Sequence, residues 1–594
     1  MEYITAQDLY QRIEEALATE AQGVANHILH DTLVLCCHEG LRHTRHAFGN
    51  LSSQVDYLCR DRHMASQDVL AIQRMRRHSN SDEPLSPEDL GYDCRALALF
   101  VSAVFQTSVP ASLVGRIPAT GRAAQGSPIS SYTYLRCVVR SFDDEIIHAT
   151  VVNQDCDEEV VTIDYRHTPD YIDFSYLTRI LQEGMTLNLL DCHREDERLI
   201  PGLIIVEPDY LLDISSIASC FEDYGHHPLL FTLHRLKERQ NSKHILLGNF
   251  AGSALDDLIN HAQYRFADTL QRNFREKAIE YACCPDFDPS EFKKLAESQV
   301  NNMQAVVAEL FGRYNKEKAI LEPSFICEKL GIQGRVDLMT TDLQLLVEQK
   351  SGQNYFLKRH TRNRYGSLHV EKHYVQVLLY FGVLSYNFGL SPKHADIYLL
   401  YSKYPLPDGL MQVEPLRKLL REALKYRNQV VALEYWMAFH GLERILPHLH
   451  VSTLNTEHLD DYFFHAYLQP QIEAVTTPLQ TMKPLERAYF CRMMRFVMRE
   501  QIVAKVGAQE GVGSAGADLW NMPLSMKRET GNIFTRLRIV DKKSDGPGGY
   551  DTLTLLIPKQ EDDFLPNFRR GDMVYLYAYD QDKAPDVRRS ILHK

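Results

Sequence analysis

The sequence predicts a multidomain α/β protein, on three observations. Its 594 residues exceed what one hydrophobic core organises, so several cores are expected. The apolar pattern changes along the chain: helical to about residue 117, strand-like from 132 to about 206, and mixed beyond. Between the first two regimes lies PATGRAAQGSPISS, residues 118–131, whose Gly, Pro, Ser and Ala mark a linker.

Residues 1–117 form the helical domain. IEEALATEAQGVANHILHDTLVLCC and SQDVLAIQRMRRH carry apolar residues at helical spacing, and SPEDL offers an N-cap followed by acids. Cys36, Cys37, His38, His43, His46 and Cys59 invite a zinc reading. They lack paired CxxC spacing, so core cysteines and surface histidines are expected instead. Residues 132–206 contain five β-rich runs, YTYLRCVVRSF, EIIHATVV, EEVVTIDY, MTLNLLDC and LIPGLIIVE, expected to close as an OB-like β-barrel. Such barrels bind single strands on aromatics in a basic groove. The acids here, Asp143, Asp144, Glu145, Asp155, Asp157, Glu158 and Glu159, suit a structural spacer equally well.

Lys and Arg number 65 against 78 Asp and Glu, a net charge of −13, so a nucleic-acid ligand requires a local basic channel. No signal peptide is visible, and apolar runs such as LALFVSAVF at 97–105 are too short to span a bilayer. The twelve cysteines are scattered, as reduced thiols are in a long chain. A cytoplasmic protein without a membrane partner is expected.

The chemistry concentrates in GIQGRVDLMTTDLQLLVEQKSG, 331–352. Two strands joined by the polar turn Thr340–Asp342 would pair as a hairpin and bring Asp337, at the end of the first, towards Glu348 on the second. Leu345, Leu346 and Val347 suit a buried strand, after which Glu348 and Lys350 emerge on one face. Two carboxylates can hold Mg²⁺ or Mn²⁺, and an adjacent amine can orient or deprotonate a water, as phosphodiester hydrolysis requires.

Asp337, Glu348 and Lys350 resemble the signature of the PD-(D/E)xK nucleases, in their RecB-like branch. The resemblance implies a restriction-endonuclease-like nuclease core over 207–470. It also implies a metal-site role for Glu322, fifteen positions before Asp337, and contact with the active site or DNA for Gln376 and Tyr380, the QxxxY pair in KHYVQVLLYFGVL. Next to the triad, QNYFLKRHTRNRYGSLHVEKHY interleaves Lys358, Arg359, Arg362, Arg364 and Lys372 with Tyr355, Phe356, Tyr365 and Tyr374. That mixture reads as a phosphate-tracking wall with stacking platforms, or as a solvated basic loop.

SSIASCF resembles the entry to the nuclease domain of the Okazaki-fragment nuclease-helicase family, with Cys220 at the first iron–sulfur ligand. No cysteine occurs from Tyr380 to Phe490, so no iron–sulfur cluster is expected and Cys220 reads as a small buried hydrophobe. ILLGNFAGSALDDLINH resembles that family's first helix, with Gly252 where a metal-binding histidine is implied; Asp256 or Asp257 could compensate. The helix after Asp288–Pro289 should pack on the sheet as core. Residues 471–530 read as a helical stalk. Residues 531–594 resemble a helicase-type β-barrel, an incomplete one. The GxxxxGK[ST] loop is missing, and DGPGGYD at 545–551 is a glycine-rich turn, so no ATPase is expected. The resemblance implies DNA as partner, single-stranded or branched rather than plain duplex. It also implies a helicase motor in cis or trans, and work in repair, recombination or defence.

Overall fold

A computed structural model describes residues 4–19, 24–42, 51–79, 85–122, 131–152, 160–168, 172–238, 241–261, 263–359, 368–390, 394–507, 515–543, 552–560, 565–579 and 586–592. The chain is a multidomain α/β protein with a small closed barrel of five strands.

The N-terminal helices pack around their own core, in which Leu33, Cys36, Cys37, Cys59 and Cys94 are buried among Leu97, Phe100 and Val101. Burial holds the thiols of Cys36, Cys37 and Cys59 far above their ordinary range, as inert core packing does. His43 and His46 lie outside the described residues. Ser86 caps the helix Pro87–Phe105 through the Asp89 N–H at 3.1 Å. Most of the expected linker also falls outside the described residues, and Ser131 already belongs to the first strand.

The barrel consists of β1 (Ser131–Phe142), β2 (Ile146–Val151), β3 (Val160–Asp164), β4 (Thr186–Glu195) and β5 (Arg198–Ile200). They hydrogen-bond in the ring β1-β2-β3-β5-β4 and back to β1, antiparallel except for β3 with β5. Every second residue fills the interior, among them Leu135, Cys137, Val139, Ile147, Ala149, Val161, Ile163, Leu187 and Leu189. β6 (Leu203–Val206) continues β5 along β4 without change of register, from Ile200 opposite His193 to Val206 opposite Leu187. The interruption is Pro201–Gly202, where proline has no N–H to give.

The central sheet runs Ala319–Leu321, Leu338–Thr340, Leu345–Lys350, Asp396–Tyr401, Leu410–Gln412. Its middle pair, Leu345–Lys350 and Asp396–Tyr401, is parallel and the other pairs are antiparallel. Helices cover both faces. Leu338, Leu345, Val347, Tyr398 and Leu400 pack with Leu246, Phe250, Val300 and Met303, from the helices Lys243–Asn260 and Pro289–Arg313. Met339, Leu346, Ile397 and Leu399 share the opposite core with Val375, Leu378 and Leu379 of the helix Glu371–Phe388. The Asp288 side chain caps Pro289–Arg313 at the Glu291 N–H, 2.6 Å away.

Two expectations for the C-terminal part need correction. Residues 471–530 do not stand off as a stalk: helices Gln469–Thr481 and Pro484–Val506 send Ile472, Leu479, Cys491, Met498 and Ile502 into the central core. Arg495 and Arg499 also donate to the Ala438 carbonyl, capping the end of Arg417–His440. Residues 531–594 form no barrel among the described residues. They contribute the hairpin Arg538–Lys543 with Thr552–Leu556, whose side chains are almost all exposed, and two strands alone cannot enclose a core. The DGPGGYD turn lies outside the described residues.

Candidate active site

The hairpin forms, with Leu338 opposite Val347 and Met339 opposite Leu346, so Asp337 and Glu348 follow as the next pair. Asp337 is not the end of the first strand. The strand Ile332–Arg335 belongs to a separate three-stranded sheet, and Asp337 sits at the bend where the chain leaves it for the central one. Two bonds set that bend: Val336 N–H reaches the Pro323 carbonyl at 3.2 Å, and the Tyr380 hydroxyl donates to the Arg335 carbonyl. The Tyr380 ring fits because residue 334 is glycine; a Cβ there would lie 2.9 Å from ring carbon Cε1.

Asp337 Oδ2 accepts the Gln349 N–H at 2.6 Å. Glu348 Oε1 accepts from Lys350 Nζ at 2.7 Å and from Gln376 Nε2 at 2.6 Å, while Lys350 also donates to Gln376 Oε1 at 3.0 Å. Gln376 therefore bridges the acid and the amine, and Tyr380 fixes the strand that delivers Asp337. The Glu348 side chain is only 4% exposed, and its Oε2 has no hydrogen-bond partner. An orphaned buried carboxylate oxygen costs several kcal/mol unless it is protonated or meets a cation. Burial, then the Asp337 charge, pushes the Glu348 carboxyl up to about 8, against the pull of Lys350. Burial also raises Asp337, with Lys350 and the Gln349 N–H acting the other way.

Glu322 donates its N–H to the Asp337 carbonyl at 3.0 Å and holds a left-handed φ of 49°, which a non-glycine residue adopts at a cost of about 1–3 kcal/mol. Its side chain, 44% exposed, pairs with Arg335 at 3.0 Å. Of the adjacent acids on Lys243–Asn260, the structure separates two roles. Asp257 is buried and bound by Thr269 and by Arg272 at 2.8 Å. Asp256 instead lies in electrostatic range of the site: burial, then the charges of Glu322 and Asp337, push its carboxyl up to about 8. Gly252, one turn before Asp256, has nothing within 4 Å of where a Cβ would stand.

These oxygens fit a hard divalent cation: two neighbouring carboxylates, one with a free buried oxygen, and a third acid in electrostatic range. Among the described residues no three His, Cys, Asp or Glu side chains converge closely enough to hold a metal by themselves. Glu322 is drawn off by Arg335, so the structure does not gather the whole expected acid set. No protein-family model and no curated protein matches the chain.

The basic wall is only partly described. Lys358 is exposed near the end of the short helix Tyr355–Arg359, and Arg362, Arg364 and Tyr365 lie outside the described residues. Tyr374 is no stacking platform: it is buried, and its hydroxyl donates to the Glu414 carbonyl. Tyr355 and Phe356 are half-buried with ring centroids 4.3 Å apart. Cys220 is a fully buried core residue. Sequence reasoning missed His373, Ser215 and Ser219, which line a cavity together with Lys350 and Gln376. His373 lies three residues before Gln376, on one helix face, and that spacing is a usable signal. No helix among the described residues is long and apolar enough to cross a membrane.

Proposed function

We propose that the chain is a metal-dependent DNA nuclease with a PD-(D/E)xK core. The reading rests on one observation above all: a buried, unpartnered Glu348 oxygen beside Asp337, with Lys350 tied to the same carboxylate. Asp337 and Glu348 would hold Mg²⁺ or Mn²⁺, with Asp256 and Glu322 close by. When bound, such an ion lowers the pKa of water and neutralises charge building on a phosphodiester under attack. Lys350 offers the scissile phosphate or the attacking water a donor, and Gln376 keeps that amine aimed. Tyr380 holds the bend that presents Asp337. The barrel's ring order, with a helical turn at Ser175–Arg179 between β3 and β4, supports the OB-like reading. A helicase motor in cis or trans would deliver the strand.

The second reading is a non-catalytic DNA-binding scaffold with a relict nuclease fold, favoured by the Glu322–Arg335 pair and the unconverged acids. Incubation with end-labelled single-stranded and circular DNA, in Mg²⁺, Mn²⁺ or EDTA, decides between them. Cutting that needs metal and falls about 10²–10⁴-fold in Lys350→Ala or Asp337→Ala is the expected outcome. Cutting that survives both substitutions overturns the assignment, and DNA bound but uncut in every metal selects the scaffold.

A further inference from the structure

Lys350 and Gln376 help to line an open cavity of about 210 Å³, room for more than a single water. The carboxylates Asp337, Asp256 and Glu322 do not line it. Its other walls come from Ser215 and Ser219, on the segment after the barrel, and from Lys372 and His373, at the start of the helix Glu371–Phe388.

The donors of these walls can be counted. The Lys350 ammonium has three N–H groups, of which Glu348 and Gln376 engage two. Lys372, 41% exposed on its side chain, binds Glu222 at 3.2 and 3.3 Å. Burial, then the charges of Lys350 and Lys372, holds the His373 imidazole well below its ordinary pKa. Its Nδ1 lies 3.2 Å from the Tyr401 hydroxyl, whose oxygen accepts the Val370 N–H at 3.4 Å. Tyr401 and His373 Nδ1 thus share a hydrogen bond, and Nε2 is the ring's other polar atom. The one acid in the lining, Glu222, is engaged from behind by His234 at 3.3 Å as well as by Lys372.

We propose that this cavity is a phosphate subsite, taking the phosphate of the nucleotide next to the scissile bond. Two lysines, the His373 imidazole and Ser215 line this space, and their side chains can offer hydrogen-bond donors to phosphate oxygens. Lys350 both lines this pocket and binds Glu348 at 2.7 Å, so the pocket adjoins the carboxylates through that lysine. The proposal rests on the nucleic-acid reading above, yet it assigns a site that needs no metal.

The test uses the full chain in EDTA, with inorganic phosphate, thymidine 5′-monophosphate and thymidine as calorimetric titrants. Phosphate and the nucleotide should bind and thymidine should not. Lys372→Ala should weaken binding at least about tenfold, Lys372→Arg should restore most of it, and Lys543→Ala, remote and exposed, should change nothing. Asp337→Ala should bind phosphate at least as tightly as the parent, because it removes a negative charge that acts on Lys350. Equal binding by the parent and Lys372→Ala, or no phosphate binding at all, overturns the proposal. Tighter binding of a 5′-phosphorylated dinucleotide than of its 5′-hydroxyl form assigns the pocket to a terminal monoester, and equal binding assigns it to an internal diester. A chain that binds phosphate through Lys372 but cuts no DNA retains the subsite and loses the nuclease reading. In a cutting protein, Lys372→Ala should raise KM more than it lowers kcat.

Discussion

Two buried polar clusters in this protein differ in one respect. Where the barrel meets the central core, Arg427 is fully buried, and its guanidinium donates to the carbonyls of Gly331, Val206, Glu207 and Tyr210 and to Asn428 Oδ1. Asn428 in turn donates to Tyr176 and Ile204 and accepts the Val206 N–H. All five guanidinium donors have acceptors. At the hairpin, by contrast, Glu348 is equally buried and one of its oxygens has no partner. A saturated cluster ties together the elements it joins; an unsaturated one leaves a buried carboxylate oxygen that a proton or a cation would satisfy.

The largest effect should come from breaking the saturated cluster. Arg427→Met leaves backbone carbonyls without donors inside the core, and should lower stability by about 3–5 kcal/mol in urea unfolding. A loss below about 1 kcal/mol would make the junction incidental. Glu348→Gln, applied to the unsaturated cluster, should do the reverse in metal-free protein above neutral pH, because it removes a buried charge.

The sign follows from the shift. Glu348 has its carboxyl raised from 4.5 to about 8 in the folded chain, so the stability it contributes is present below about pH 4.5 and lost as pH rises through about 8. The melting temperature in EDTA should therefore fall across that window, and Glu348→Gln should flatten the fall. Mn²⁺ added near pH 8 should restore stability by about 2.7 kcal/mol at a hundred times its Kd. An EDTA melting curve independent of pH between 5 and 8 would contradict the crowding of acids at the site.

The smallest effects compare neighbours on one helix. Asp256→Asn should weaken Mn²⁺ binding about tenfold and, by removing a buried charge, raise the metal-free melting temperature near pH 8, whereas Asp257→Asn should lower stability by roughly 1–3 kcal/mol. Gly252→His enters open space and should tighten Mn²⁺ binding. Calorimetry and thermal melts separate these outcomes, and interchangeable behaviour of Asp256 and Asp257 would remove the distinction.

Local pattern was enough for the barrel strands, the helix caps at Ser86 and Asp288, and the hairpin, because each depends on period or on a capping residue a few positions away. The five runs also sufficed to expect a closed barrel, but not to give its strand order, in which β1 meets β4 some fifty residues later, nor to choose between Asp256 and Asp257. Adjacent helical residues point about 100° apart, and only the neighbours on other helices decide which meets the site. The supposed stalk failed for the same reason: the stripe Cys491, Met498, Ile502 announces a buried face without naming what covers it.

The parallel pairing of Leu345–Lys350 with Asp396–Tyr401 runs through six successive partners, Leu345 with Asp396 to Lys350 with Tyr401. Side chains alternate along it, so a slip of one position would bring Gln349 to the site and bury Glu348 among the residues around Phe250. Such a molecule would keep its helix content, its compactness and nearly its full complement of hydrogen bonds. Purity measured by circular dichroism or gel filtration would thus overstate the correctly registered fraction of a refolded sample, and under the proposed nuclease reading titrated Mn²⁺ binding, not total protein, would measure that fraction.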